Sequence, residues 1–273
     1  MTSPDDPGTV ELLDQTWQTI VGLCAGLDEP GYLIPTDCPG WTVKDLLSHI
    51  LGTERTLRGE AIPDIEADAE YVRNDLGRLN ERWVVALRHL PGAAVLADFR
   101  DVTAARTQDL RRLDAAALSE IVTTPFGEMT QDRWLNVRLF DCFSHEQDIR
   151  RALGRPGNLD GGAASRALQR GVGGLPRAVG RAARAMPDGT WVEIAVDGAE
   201  GSPWMVAMAG GRGAAVVAAD GPPATALGMD LETFLLLVWG RVAPQSAEDS
   251  GRLRLRGDLG LGRGVAAGLN LTP

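Results

Sequence analysis

Arg138-Leu-Phe-Asp141-Cys-Phe-Ser-His145-Glu-Gln-Asp148-Ile-Arg150 is the stretch from which the rest of the chain can be read. Taken as a helix, positions 138, 141, 145 and 148 step by three, four and three residues. An arginine, two carboxylates and an imidazole therefore stack along one face. Burying such a face is costly. Asp141 and His145 stand four apart, a spacing at which two side chains can close on one divalent metal, although the same spacing also describes a solvated face. A third ligand would complete an open catalytic site.

Only two other histidines are available. His49 lies in Thr42-Val-Lys-Asp45-Leu-Leu-Ser-His49-Ile-Leu-Gly52, where Thr42 and Asp45 have the spacing of a capping box ahead of an apolar run. That places His49 about two turns into a helix, on a partly apolar face with Leu46 and Thr53, where a ligand can point into a bundle. His89 precedes Leu90-Pro91-Gly92 and reads as a cation at a helix C-terminus, a structural role. An ion held by His49, Asp141 and His145 would suit zinc or another borderline divalent metal and leave a coordination position open. Asp148, one turn on, is then an acceptor for a ligand's other nitrogen or for a nearby arginine, and Arg138 either pairs with Asp141 or points to an anionic substrate.

The setting is ordinary for a globular chain: 273 residues, 44% hydrophobic and 23% charged, long enough for two domains. A net charge of -10 argues against nucleic acid as a partner, because phosphate binding needs a concentrated basic surface. Cys24, Cys38 and Cys142 are odd in number and form no CxxC pair, which points to a reducing cytoplasm. Met1 to Pro7 lacks the basic and apolar regions of a signal peptide, and no run approaches ~20 apolar residues, so neither secretion nor a membrane partner is expected.

Apolar periodicity divides the chain. Leu13, Trp17, Ile20, Cys24 and Leu27 recur at helical spacing, then come the His49 helix, Asn74 to His89, Ala93 to Leu113, and Gln131 to Leu153, stopped by Gly154-Arg-Pro156-Gly157. Four long helices and an accessory one predict a bundle over residues 9–157, the kind of core in which facing helices pool metal ligands. After Asn158-Leu-Asp-Gly161-Gly162 an arginine-rich helix near Ala163 to Ala185 leads into strands at Val192 to Val196, Trp204 to Met208 and Ala214 to Ala219. A helix from Leu231 to Gly240, a strand Leu253 to Arg256 and a last helix complete an α+β domain over 158–273, and a ligand site is expected where the two domains meet. Cys38 and Cys142 read as small core residues, Trp17, Trp41, Trp83 and Trp134 as core or loop anchors, and Gly210-Gly-Arg-Gly213 as a hairpin turn, since no Lys-Ser/Thr follows.

Two segments carry a family resemblance. Pro35-Thr-Asp-Cys38-Pro39-Gly40-Trp41 running into Asp45 and His49, and Thr124-Pro-Phe-Gly127-Glu-Met129 leading to Arg138, Asp141, His145, Asp148 and Ala152-Leu-Gly154-Arg-Pro156, resemble the mycothiol-dependent maleylpyruvate isomerase family of the DinB-like helical bundle superfamily. The resemblance covers most of residues 9–157, and the later strand and helix order is similar to a sterol-carrier-like domain. It implies zinc on His49, Asp141 and His145, with Asp141 standing where the family commonly has Glu. It also implies mycothiol, a small thiol of actinobacteria, bound as thiolate near the metal. The thiolate would add to the double bond of maleylpyruvate, permit rotation, and leave fumarylpyruvate. A substrate-holding arginine from the C-terminal domain is implied as well; Arg241, after Phe234-Leu-Leu-Leu-Val-Trp-Gly240, is the candidate for that catalytic and substrate-binding role, with Arg212 in reserve and Arg138 beside the metal. The competing expectation is a metal-holding bundle whose C-terminal domain carries an apolar ligand without turnover.

Overall fold

A computed structural model of the protein describes residues 8–67 and 69–272. The N-terminal segment read above for a signal peptide lies outside the described residues. The chain divides into two compact units, the first ending at Ala164 and the second spanning Ser165–Thr272. Among the described residues no helix is long and apolar enough to cross a membrane.

The first unit is helical. Helix α1 (Thr9–Cys24) buries Leu13, Trp17, Ile20 and Cys24 of the stripe that the sequence spacing marks out, together with Leu12, and it ends before Leu27, the last residue of that spacing. Burial of each such side chain contributes ~1.5–3 kcal/mol. After the single turn α2 (Glu29–Tyr32), helix α3 (Val43–Leu57) opens with the expected capping box: the Asp45 N–H donates to Thr42 Oγ1 and the Thr42 N–H to the Asp45 carboxylate. Gly52 in the middle of α3 lets Trp83 of α4 (Asp75–Leu87) lie across the helix, since a Cβ there would stand 2.2 Å from Trp83 Cγ. Helix α5 (Gly92–Leu110) packs on α1 and α3.

A short α6 (Ala115–Ser119) and a hairpin of β1 (Ile121–Thr124) and β2 (Gly127–Thr130) lead into α7 (Gln131–Ala152). The hairpin has no counterpart in the sequence reading, because strands of four half-exposed residues are too short to show a period. Helix α7 packs along α1 and also meets α3. Its Thr130 cap accepts from the Arg133 N–H, and its end is a Schellman motif in which left-handed Gly154 lets the Arg155 N–H reach the Arg150 carbonyl.

The second unit contains a five-stranded sheet. Helix α8 (Gly162–Ala182) enters it and is followed by β3 (Trp191–Val196), β4 (Trp204–Ala209), β5 (Arg212–Val216) and β6 (Thr225–Met229). Helices α9 (Leu231–Val238) and α10 (Pro244–Asp249), strand β7 (Arg254–Gly257) and α11 (Leu259–Ala267) complete it. The strand order is β5-β4-β3-β6-β7, with β3 and β6 parallel and the other pairs antiparallel. Gly210 and Gly211, both at positive φ, make the two-residue turn between β4 and β5 that was expected of them. Strand β6 was not anticipated: Thr225, Ala226, Leu227 and Met229 are buried, so it lacks the alternation that marks a half-exposed strand.

Candidate metal centre

Two helices of the first unit bring the polar face of α7 against His49. Asp141 and His145 come from α7 and His49 from α3, and all three ligand atoms lie within 4.8 Å of one another. His49 Nε2 stands 3.3 Å from Asp141 Oδ2, and His145 Nε2 stands 3.6 Å from Asp141 Oδ1. An ion bound tetrahedrally at ~2.0–2.1 Å sets its ligand atoms roughly 3.3 Å apart, so these separations suit one divalent cation. The imidazoles are buried, whereas the Asp141 side chain is 32% exposed, leaving the group open on the carboxylate side.

The protonation pattern also favours a cation. Burial pushes the His49 pKa down, against the pull of Asp141, so the ring is neutral. Its Nδ1 is buried without a hydrogen-bond partner. With the proton on Nδ1 a bare Nε2 lone pair would face a carboxylate, and with it on Nε2 a buried acceptor is left unsatisfied; a metal on Nε2 removes the first conflict. Burial alone would raise the Asp141 carboxyl, but Arg138 and the imidazoles hold it well below the usual carboxylate range. Two imidazoles and an ionised carboxylate form a donor set appropriate to zinc.

The surrounding side chains fix these ligands. His145 Nδ1 lies 3.1 Å from Asp148 Oδ2, and Asp148 also receives Arg151 Nη2 and Cys38 Sγ. Arg138 Nη1 donates to Asp141 Oδ2 at 2.6 Å, while its Nε and Nη2 both donate to Glu54 Oε1. Of the two pairings the sequence left open for Arg138, the one with Asp141 is present. Trp41 packs against both imidazoles, ring centroids 5.1 Å from His49 and 6.1 Å from His145, and its Nε1 donates to buried Glu81.

Cys38, His145 and Asp148 also lie close enough to share an ion. Cys38 Sγ is 3.2 Å from Asp148 and 3.9 Å from His145 Nδ1, but the Asp148 carboxylate is fully buried and already neutralised by Arg151. The group around His49 is the better centre. Cys38 was read from sequence as core filler; it is buried, with its thiol turned to the carboxylate that orients His145.

One participant left a weaker trace. Glu54 continues the Val43, Leu47, Ile50 stripe at helical spacing and is buried with Arg138 and Arg106. A carboxylate at the next position of an apolar stripe is the signal that identifies it. Arg241 belongs to the second unit, where α9 ends in a Schellman motif: Gly240 is left-handed and the Arg241 N–H reaches the Leu236 carbonyl. Its Nη1 donates to the Trp239 carbonyl. Arg212 opens β5, exposed, in the same unit, and His89 is exposed just beyond α4.

The family model of the mycothiol maleylpyruvate isomerase N-terminal domain matches residues 13–150, a span that contains His49, Asp141 and His145. The chain belongs to the mycothiol-dependent maleylpyruvate isomerase family. Residues 176–269 match the SCP-2 sterol transfer family. The crystal structure of the mycothiol-dependent maleylpyruvate isomerase is similar at 16% identity, over 89% of this chain and 93% of that one, with a TM-score of 0.57. A crystal structure of a histidine-to-alanine mutant of that isomerase matches at 15% identity, over 93% and 95%, with a TM-score of 0.58. At such identities the likeness establishes a shared fold. None of the curated proteins matches the chain.

Proposed function

We propose that this family member is a divalent-metal enzyme, dependent on mycothiol, that acts in the cytoplasm as an isomerase or thiol transferase on a small anionic electrophile such as maleylpyruvate. The observation that carries this reading is the convergence of His49, Asp141 and His145 in one buried group open on a single side. In this reading residues 9–157 are a DinB-like four-helix bundle built on α1, α3, α5 and α7, with α4 accessory, and residues 158–273 are a sterol-carrier-like domain. Neither nucleic acid nor a membrane is a partner in it.

Zinc held by His49, Asp141 and His145 would supply the Lewis acidity that keeps a thiol ionised at neutral pH. The chain's own residues prepare that role. Burial keeps His49 neutral, Asp148 holds Nδ1 of His145 so that Nε2 is presented, and Arg138 keeps Asp141 ionised. Trp41 covers the imidazole faces and limits water. The thiol adds across the electrophile's double bond, the new single bond rotates, and expulsion of the same thiol leaves the geometric isomer with no net change of atoms. Arg241 is assigned the substrate carboxylate, and Arg138 adds positive potential on the same side as Asp141.

The SCP-2 match over 176–269 favours a second reading, a metal-holding helical unit whose C-terminal domain carries an apolar ligand without turnover. Metal analysis of the purified protein beside His49→Ala and His145→Ala, with maleylpyruvate isomerisation measured with and without mycothiol, separates the possibilities. Stoichiometric metal lost in both variants and thiol-dependent turnover support the enzyme. Equal metal in all three proteins removes the centre, and sterol or fatty-acid binding with no turnover on any electrophile supports the carrier.

A further inference from the structure

A concavity of about 420 Å³ in the second unit is lined by four arginines and almost nothing else that is charged. Arg177 and Arg181 stand one turn apart on α8, Arg184 lies in the turn just past its end, and Arg212 opens β5. Pro176, Gly180, Gly211 and Gly213 form the floor and rim.

The arrangement is built by a backbone contact. A Cβ on Gly180 would meet the Gly213 nitrogen at 2.8 Å, and one on Gly213 would meet the Pro176 carbonyl oxygen at 2.2 Å. Two glycines thus allow the end of α8 to settle onto the edge strand β5, which brings Arg212 beside the helix arginines. Helix-dipole stabilisation accounts for a cation in the last turn of α8 but not for an arginine delivered from a strand.

Several other arginines of the unit are paired, Arg252 with Glu232 among them. Arg254 pairs with Asp197, and Arg263 with Glu248. Among the described residues none of Arg177, Arg181, Arg184 and Arg212 makes an ion pair. The nearby carboxylate of Asp188 is turned to the Gly210 and Gly211 amides, where it caps the β4-β5 turn. Four like charges around one hollow repel one another, and a polyvalent anion seated among them would relieve that repulsion, more strongly at low salt.

We propose that this hollow is a binding site for a phosphate-bearing group of at least two negative charges, formed by residues other than those assigned to thiol and substrate except for the reserve candidate Arg212. Guanidinium forks match phosphate oxygens through paired charge-assisted hydrogen bonds, and the volume suits one small polyanion. The phosphate belongs either to a free metabolite or to the headgroup of an anionic lipid.

Titration calorimetry with pyrophosphate, and co-sedimentation with phosphatidylcholine vesicles with and without phosphatidylglycerol, test the site on the full chain. Both are run on the parent, on Arg177→Gln/Arg181→Gln/Arg184→Gln, on Arg212→Gln and, as a control, on Arg100→Gln from the first unit. Pyrophosphate binding that is weakened by salt and falls about tenfold or more in the first two variants, but not in the control, supports a free phosphate ligand. Binding only to phosphatidylglycerol vesicles, with the same dependence, supports a lipid headgroup. No binding of either probe by the parent, or binding indifferent to the four arginines, overturns the proposal. The parent titration decides the first point without any variant.

Discussion

His145 Nδ1 lies 3.1 Å from Asp148 Oδ2, so the carboxylate one turn along α7 determines which imidazole nitrogen faces Asp141 and His49. With the Nδ1 proton given to Asp148, Nε2 carries the free lone pair that a metal requires. Asp148→Asn keeps the volume and removes the charge. Metal affinity, measured by competition with a chelator, is expected to fall about 10- to 100-fold while the fold survives. Unchanged affinity would show that His145 is oriented by packing alone.

Glu54 and Arg138 form a buried pair, 2.8 Å between Nη2 and Oε1, and Arg106 reaches the other oxygen of the same carboxylate. Removing one member strands the rest, so Glu54→Leu is expected to cost ~3–5 kcal/mol in denaturant unfolding. The double variant Glu54→Leu/Arg138→Met should recover much of that loss, because the desolvation of both charges disappears together. Additive losses in the two single variants and the double would contradict the coupling.

Replacing Arg241 by Met tests the assigned substrate contact. Hydrogen bonds to charged groups contribute ~1.5–3 kcal/mol each, so turnover of an anionic electrophile should drop at least about tenfold while bound metal is retained. Kinetics equal to those of the parent, with metal intact, would transfer the role to Arg212 or Arg138.

Burial pushes the Cys24 thiol from 9.0 up to about 12. Because the folded-state value lies above the unfolded one, this group's stabilising contribution is complete below pH 9 and is lost as pH rises through about 12. Peptide-resolved alkylation at pH 9 should be at least about a hundredfold slower at Cys24 in the native protein than in denaturant. Equal rates would mean that the α1 core opens readily.

Much of the first unit is legible locally. The Thr42-Asp45 box, the Leu13 to Cys24 part of the first stripe and the Gly154 stop are short-range signals, and the structure has each where the spacing puts it, although α1 ends short of Leu27. The β1-β2 hairpin and β6 escaped for opposite reasons, one too short and exposed to show a period, the other buried almost throughout. In the candidate centre, Asp141 and His145 announce themselves by i, i+4 spacing. Glu54, Cys38 and Trp41 do not, because each is chemically ordinary in its own segment and becomes informative only through a partner distant in sequence: Arg138, Asp148 and the two imidazoles.

Local sequence therefore determined the helices, their caps and the face on which α7 carries Arg138, Asp141, His145 and Asp148, since those follow from residue identity and the 3.6-residue period. Tertiary structure decided the rest. Packing of α3 beside α7 puts His49 within 3.3 Å of Asp141, and the contact of Gly180 with Gly213 gathers arginines from a helix and a strand. Such proximities depend on how side chains interlock between elements far apart in the chain, and no local propensity encodes that distance.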